Sequence, residues 1–76
     1  MKAPAIEVRA VSGLFPRDRE LMRLWRAASQ GGLVEAVTID ERNYAVIRDE
    51  SLLAYLRARY PAIDVHSFDP GSRTLT

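Results

Sequence analysis

The chain has 76 residues, 47% of them hydrophobic and 28% charged, with a formal charge of +1 and no cysteine. That is one domain of ordinary globular composition, and a domain this small buries only about 60% of its unfolded surface, so a partner covering more apolar area is an expected source of stability. The same figures exclude disulfides, thiol nucleophiles and cysteine-based metal sites, and the near balance of charge argues against a binder that attracts nucleic acid with the whole chain.

Residues 5–11 alternate, with Ile6, Val8 and Ala10 on one side and Glu7 and Arg9 on the other, which predicts a strand wet on one face. Pro16 suits a first helical position, and Leu21, Leu24, Trp25 and Ala28 recur at i, i+3, i+4 and i+7, predicting a helix from Pro16 to Gln30 with Trp25 on its inward stripe. Gly31 and Gly32 supply its left-handed end. Residues 33–40 are apolar and β-branched and read as a second strand. A short polar connection at 40–43 leads to a third strand over 44–48. Asp49 caps a second helix whose inward stripe is Leu52, Leu53, Leu56 and Tyr60, with Tyr55 and Arg59 at its margin, and Pro61 ends it. Residues 62–68 predict a fourth strand. Turn formers without periodicity over 69–76 predict a disordered tail outside a single domain at 1–68.

The order strand, helix, strand, strand, helix, strand predicts an α+β ferredoxin-like split βαβ fold, a four-stranded antiparallel sheet with two helices on one face. Crossover handedness puts the first and third strands inside the sheet. The opposite face is then expected to be open and to carry Glu7, Arg9, Tyr44, Asp64 and His66, with Glu35 near it. Residues 42–47, Arg-Asn-Tyr-Ala-Val-Ile, resemble the third-strand motif of RNA-recognition domains, but one Tyr is a poor stacking platform. Asp64 and His66 share a strand face, and Glu7 is the nearest further ligand, too few for a metal centre. No metal, cofactor or catalytic residue is expected.

Two further features concern anions. Arg19, Arg23 and Arg26 lie at i, i+4 and i+7 on the outer face of the first helix, a ridge suited to point contacts with phosphates. The run Val11-Ser12-Gly13-Leu14-Phe15-Pro16-Arg17 resembles the phosphate cradle of acylphosphatases, Val-Gln-Gly-Val-x-Phe-Arg. That resemblance implies an anion-binding loop of Ser12, Gly13, Phe15 and Arg17, with Arg17 as the clamp. The chain departs from the family at Ser12 and Pro16, and Ala36 stands where the family's water-positioning asparagine falls, so the implied hydrolase is degenerate.

The main expectation is a small non-enzymatic binding or regulatory module that self-associates as a homodimer through its sheet, or binds a protein partner there. The alternative is phosphate or nucleic-acid binding through the first loop and the arginine face. No apolar run approaches the roughly 20 residues of a membrane helix, and residues 1–10 lack the apolar core of a signal peptide, so a cytoplasmic location away from membranes is expected.

Overall fold

The computed structural model describes residues 2–76. Strand β1 (Ala3–Glu7) runs directly into a short helix, α1 (Val8–Ser12); α2 (Arg19–Gln30), β2 (Val34–Ile39), β3 (Arg42–Ile47), α3 (Glu50–Arg59), β4 (Val65–Asp69) and β5 (Thr74–Leu75) follow. The strands form one antiparallel sheet in the order β2-β3-β1-β4-β5. With five strands in a curled half-barrel and three helices, the structure corrects the expected ferredoxin-like architecture of four strands and two helices. The pairing of β1 with both β3 and β4 is the inner arrangement that crossover handedness requires. An extra helix and an extra strand change what surrounds it.

The extra helix arises because the alternation expected through residue 11 stops at Glu7. A strand continued to Val11 would send Ile6 and Val11 to opposite faces. Turning into a helix at Val8 instead brings both, fully buried, into the same core. Pro16 falls in the turn at residues 13–17, and α2 begins after Asp18, whose carboxylate accepts the Leu21 N–H at 3.0 Å. An N-cap that satisfies an orphan amide outweighs the preset φ of Pro16. At the other end Gly32, at φ +72°, takes the left-handed conformation, and the Leu33 N–H returns to the Ala28 carbonyl at 2.8 Å.

The β2–β3 connection is tighter than the four residues expected. Ile39 pairs with Arg42, leaving Asp40 and Glu41 as a two-residue turn, both at positive φ (50° and 66°), the geometry that matches strand twist. Asp49 caps α3 as its sequence suggests, accepting from the Ser51 and Leu52 amides at 2.9 and 3.2 Å.

Two apolar layers flank the sheet. On the helix side, Ile6, Ala45 and Ile47 meet Val11, Leu21, Ala28, Leu52 and Leu56, with Trp25 half-buried against them. On the other side, where an open face is expected, Ala5, Val37, Tyr44, Val46 and Phe68 form a second buried cluster, edged by Ile39 and Leu75. The expected disordered tail closes that cluster. Pro70 to Arg73 turn the chain, the Asp69 carboxylate accepts the Gly71 N–H at 2.9 Å, and Leu75 pairs opposite Phe68.

Candidate functional site

The connection between β1 and α2 is engaged with itself. Ser12 ends α1 and its hydroxyl donates to the Arg9 carbonyl at 3.3 Å, while Gly13 is right-handed helical at φ −73°. The amides of Leu14, Arg17 and Asp18 donate to the carbonyls of Val11 and Leu14. An anion cradle needs convergent free amides at a helix N-terminus, and here the N-terminus of α2 holds the chain's own Asp18 carboxylate. Phe15 turns inward, edge-to-face with Trp25 at 5.4 Å between centroids, and Arg17 is exposed. The four residues of the expected anion loop therefore do not converge.

Asp18 is the one buried charged side chain among the described residues, 8% exposed. The Tyr55 hydroxyl lies 2.8 and 2.9 Å from its two carboxylate oxygens, and the Tyr60 hydroxyl donates to it as well. The Tyr60 bond first, then the Leu21 amide, hold the Asp18 carboxyl down to about 2 against burial. Tyr55 is pushed up, mainly by burial, and Tyr60 chiefly by its bond to Asp18. The cluster staples the start of α2 to α3. An Asp before an apolar stripe signals the cap. Its tyrosine partners, 37 and 42 residues away, carry no sequence signal.

The residues expected on an open sheet face divide. Tyr44 lies inside the second cluster, edge-to-face with His66 at 6.0 Å, and Glu7 pairs opposite Tyr44. Arg9 belongs to α1, and Asp64 precedes β4 and is exposed. A polar cleft of about 540 Å³ at this end of the sheet gathers Glu7, Arg9 and Ser12 with Glu41, Arg42 and Asn43 of the β2–β3 hairpin. Among the described residues no group of three His, Asp or Glu side chains converges as metal ligands.

Sequence reasoning misses how the sheet curls. Glu35 on β2 accepts from Arg48 at 3.2 Å and lies 3.9 Å from Arg73 in the β4–β5 turn. Since β2 and β5 are opposite edges of the sheet, this pair links the two ends of the curl. The Arg73 guanidinium also lies over the Phe68 ring, 5.7 Å from its centroid. Exposed pairs of this kind contribute little energy, but they mark where the edges approach.

The two edges are unequal. β5 presents two residues, whereas β2 presents six along its outer side. Ala36 and Thr38 of β2 are exposed, and Leu33, just before it, is the exposed large hydrophobic of the described chain at 37%. On α2, Arg19, Arg23 and Arg26 are all exposed, as the helical spacing requires, and Arg23 is bound to Glu20. No helix among the described residues is long and apolar enough to cross a membrane. In comparisons with known proteins, no family model, no curated protein and no solved structure matches this chain.

Proposed function

We propose that the chain is a non-enzymatic interaction module that forms a homodimer by pairing the β2 edges of two copies. The carrying observation is the free six-residue edge of β2 beside exposed Leu33, on a sheet whose other edge is cut to two residues. An uncovered strand offers a row of unpaired N–H and C=O groups that another strand satisfies without rearrangement. Antiparallel pairing across a two-fold axis uses the same patch on both copies and so closes at a dimer. The second apolar cluster is filled by the chain itself, which moves the association surface from the sheet's face to its edge.

Edges that avoid such pairing carry charges, Pro or bulges; β2 (Val-Glu-Ala-Val-Thr-Ile) has no Lys, Pro or bulge, and its one charge, Glu35, is held by Arg48 with Arg73 nearby. Size-exclusion chromatography with light scattering tests the reading. The wild type is expected to run at twice the chain mass at tens of micromolar, and the exposed-site variant A36K/T38K at the chain mass with unchanged circular dichroism. A wild-type monomer at these concentrations, or a dimer that the two lysines leave intact, overturns it.

A further inference from the structure

A second surface lies on the helix side of the sheet, on α2. Between the β1–α2 connection and α2 there is a concavity of about 370 Å³ whose almost wholly apolar wall is formed by Phe15, Met22 and Trp25, with Arg26 and Ser29 at its margin. A second hollow of about 310 Å³ shares Met22 and Arg26 with it and adds Arg19 and Arg23. Phe15 braces the half-buried Trp25 edge-to-face, so the wall is held in place without a ligand.

The charge around it has one sign. Glu20 is the only acidic residue within α2, and Arg23 takes it. The other nearby carboxylate, Asp18, is turned inward to two tyrosines. Arg19 and Arg26 thus have no carboxylate partner among the described residues, and Arg26 makes only a 3.7 Å contact to the Met22 sulfur. An apolar socket beside unpaired guanidinium groups is complementary to an apolar side chain flanked by carboxylates. It suits a nucleobase less well, because Phe15 and Trp25 meet edge-to-face with Trp25 half-buried and so do not present the parallel exposed ring faces on which successive bases stack.

We propose that this face of α2 docks an acidic peptide segment, with one aliphatic or aromatic side chain in the Phe15–Trp25 socket and flanking Asp or Glu residues against Arg19 and Arg26. Trp25 is the only tryptophan, so its fluorescence reads the socket directly. The probes are synthetic tryptophan-free peptides carrying a Leu, Ile or Phe anchor among Glu and Asp, the same peptides with Lys in place of the acids, and an oligo-deoxythymidine. The acidic peptides are expected to shift Trp25 emission to shorter wavelength saturably, with affinity falling about tenfold in each of Arg19→Ala and Arg26→Ala and falling again as salt is raised. Both variants are at exposed positions, and circular dichroism checks their fold. No saturable shift with any acidic peptide up to about 1 mM, equal response to the Lys peptides, or saturation by the oligonucleotide alone overturns the proposal.

Discussion

Replacing Phe68 with Ala separates the curled sheet from an open one. On an uncovered face the ring would be solvated, and its loss would change stability by no more than about 0.5 kcal/mol. Here it is 0% exposed, packed with Val46, Tyr44 and Leu75 beneath the Arg73 side chain. Truncating a buried Phe costs the transfer of the ring together with the cavity left behind, about 3–5 kcal/mol. A 76-residue domain holds about 4–11 kcal/mol in all, so the variant should sit near the edge of folding at 25 °C. The assay is urea unfolding followed both by circular dichroism and by Trp25 fluorescence, which reports the helix side of the sheet. If the two layers form one cooperative unit, both probes should move together to a lower midpoint at unchanged slope. A loss below about 1 kcal/mol, or a shift by one probe alone, would refute a second core coupled to the first.

The two-residue turn holds Asp40 and Glu41 at positive φ, so D40N/E41G should raise stability by about 1 kcal/mol, seen as a melting point about 4–8 °C higher; a fall would mean these side chains are needed there. Because the Asp18 carboxyl titrates near 2 when folded and at its ordinary 3.8 when unfolded, its contribution is complete above about pH 4 and is lost as pH falls towards 2. Asp69 and Glu20, also held low, share that acid limb, so melting temperatures between pH 2 and 5 should fall less steeply in Asp18→Asn without becoming flat. In Tyr60→Phe, which removes the largest cause of the Asp18 shift, NMR should find the Asp18 carboxyl titrating at higher pH. Arg73→Ala should cost less than about 1 kcal/mol yet speed hydrogen exchange at Thr76, whose amide bonds the Ser67 carbonyl; unchanged exchange would mean that the Glu35 pair does not hold the β5 end of the curl.

Much of the framework was legible because it rests on local chemistry. The β2 strand, the Asp49 cap, the Pro61 stop and the Gly32 end of α2 follow from β-branched content, a side-chain acceptor, a missing amide and a residue free to take positive φ. Residues 8–12 were misleading because Val8 and Val11 fit both periods over so short a stretch, and only the requirement to bury Val11 with Ile6 selects the helix. The resemblance of residues 11–17 to a phosphate loop concerned residue types. Whether the amides there are free is a property of the backbone, and they are largely engaged.

The sequence by itself determined which segments are extended or helical over most of the chain, that α2 and α3 turn apolar residues inward, and that arginines line the outside of α2. Tertiary structure alone decided where the sheet ends and what its second face meets. Tyr44 reads as an outward residue because alternation gives a side chain's direction but not what lies in that direction. Curling of the sheet and the return of β5 place apolar neighbours there: the Phe68–Leu75 pair closes a short hairpin over residues that read as a tail, and the Glu35–Arg73 contact joins segments that no local rule relates. In the order of the sheet, β2 is left as its long edge strand.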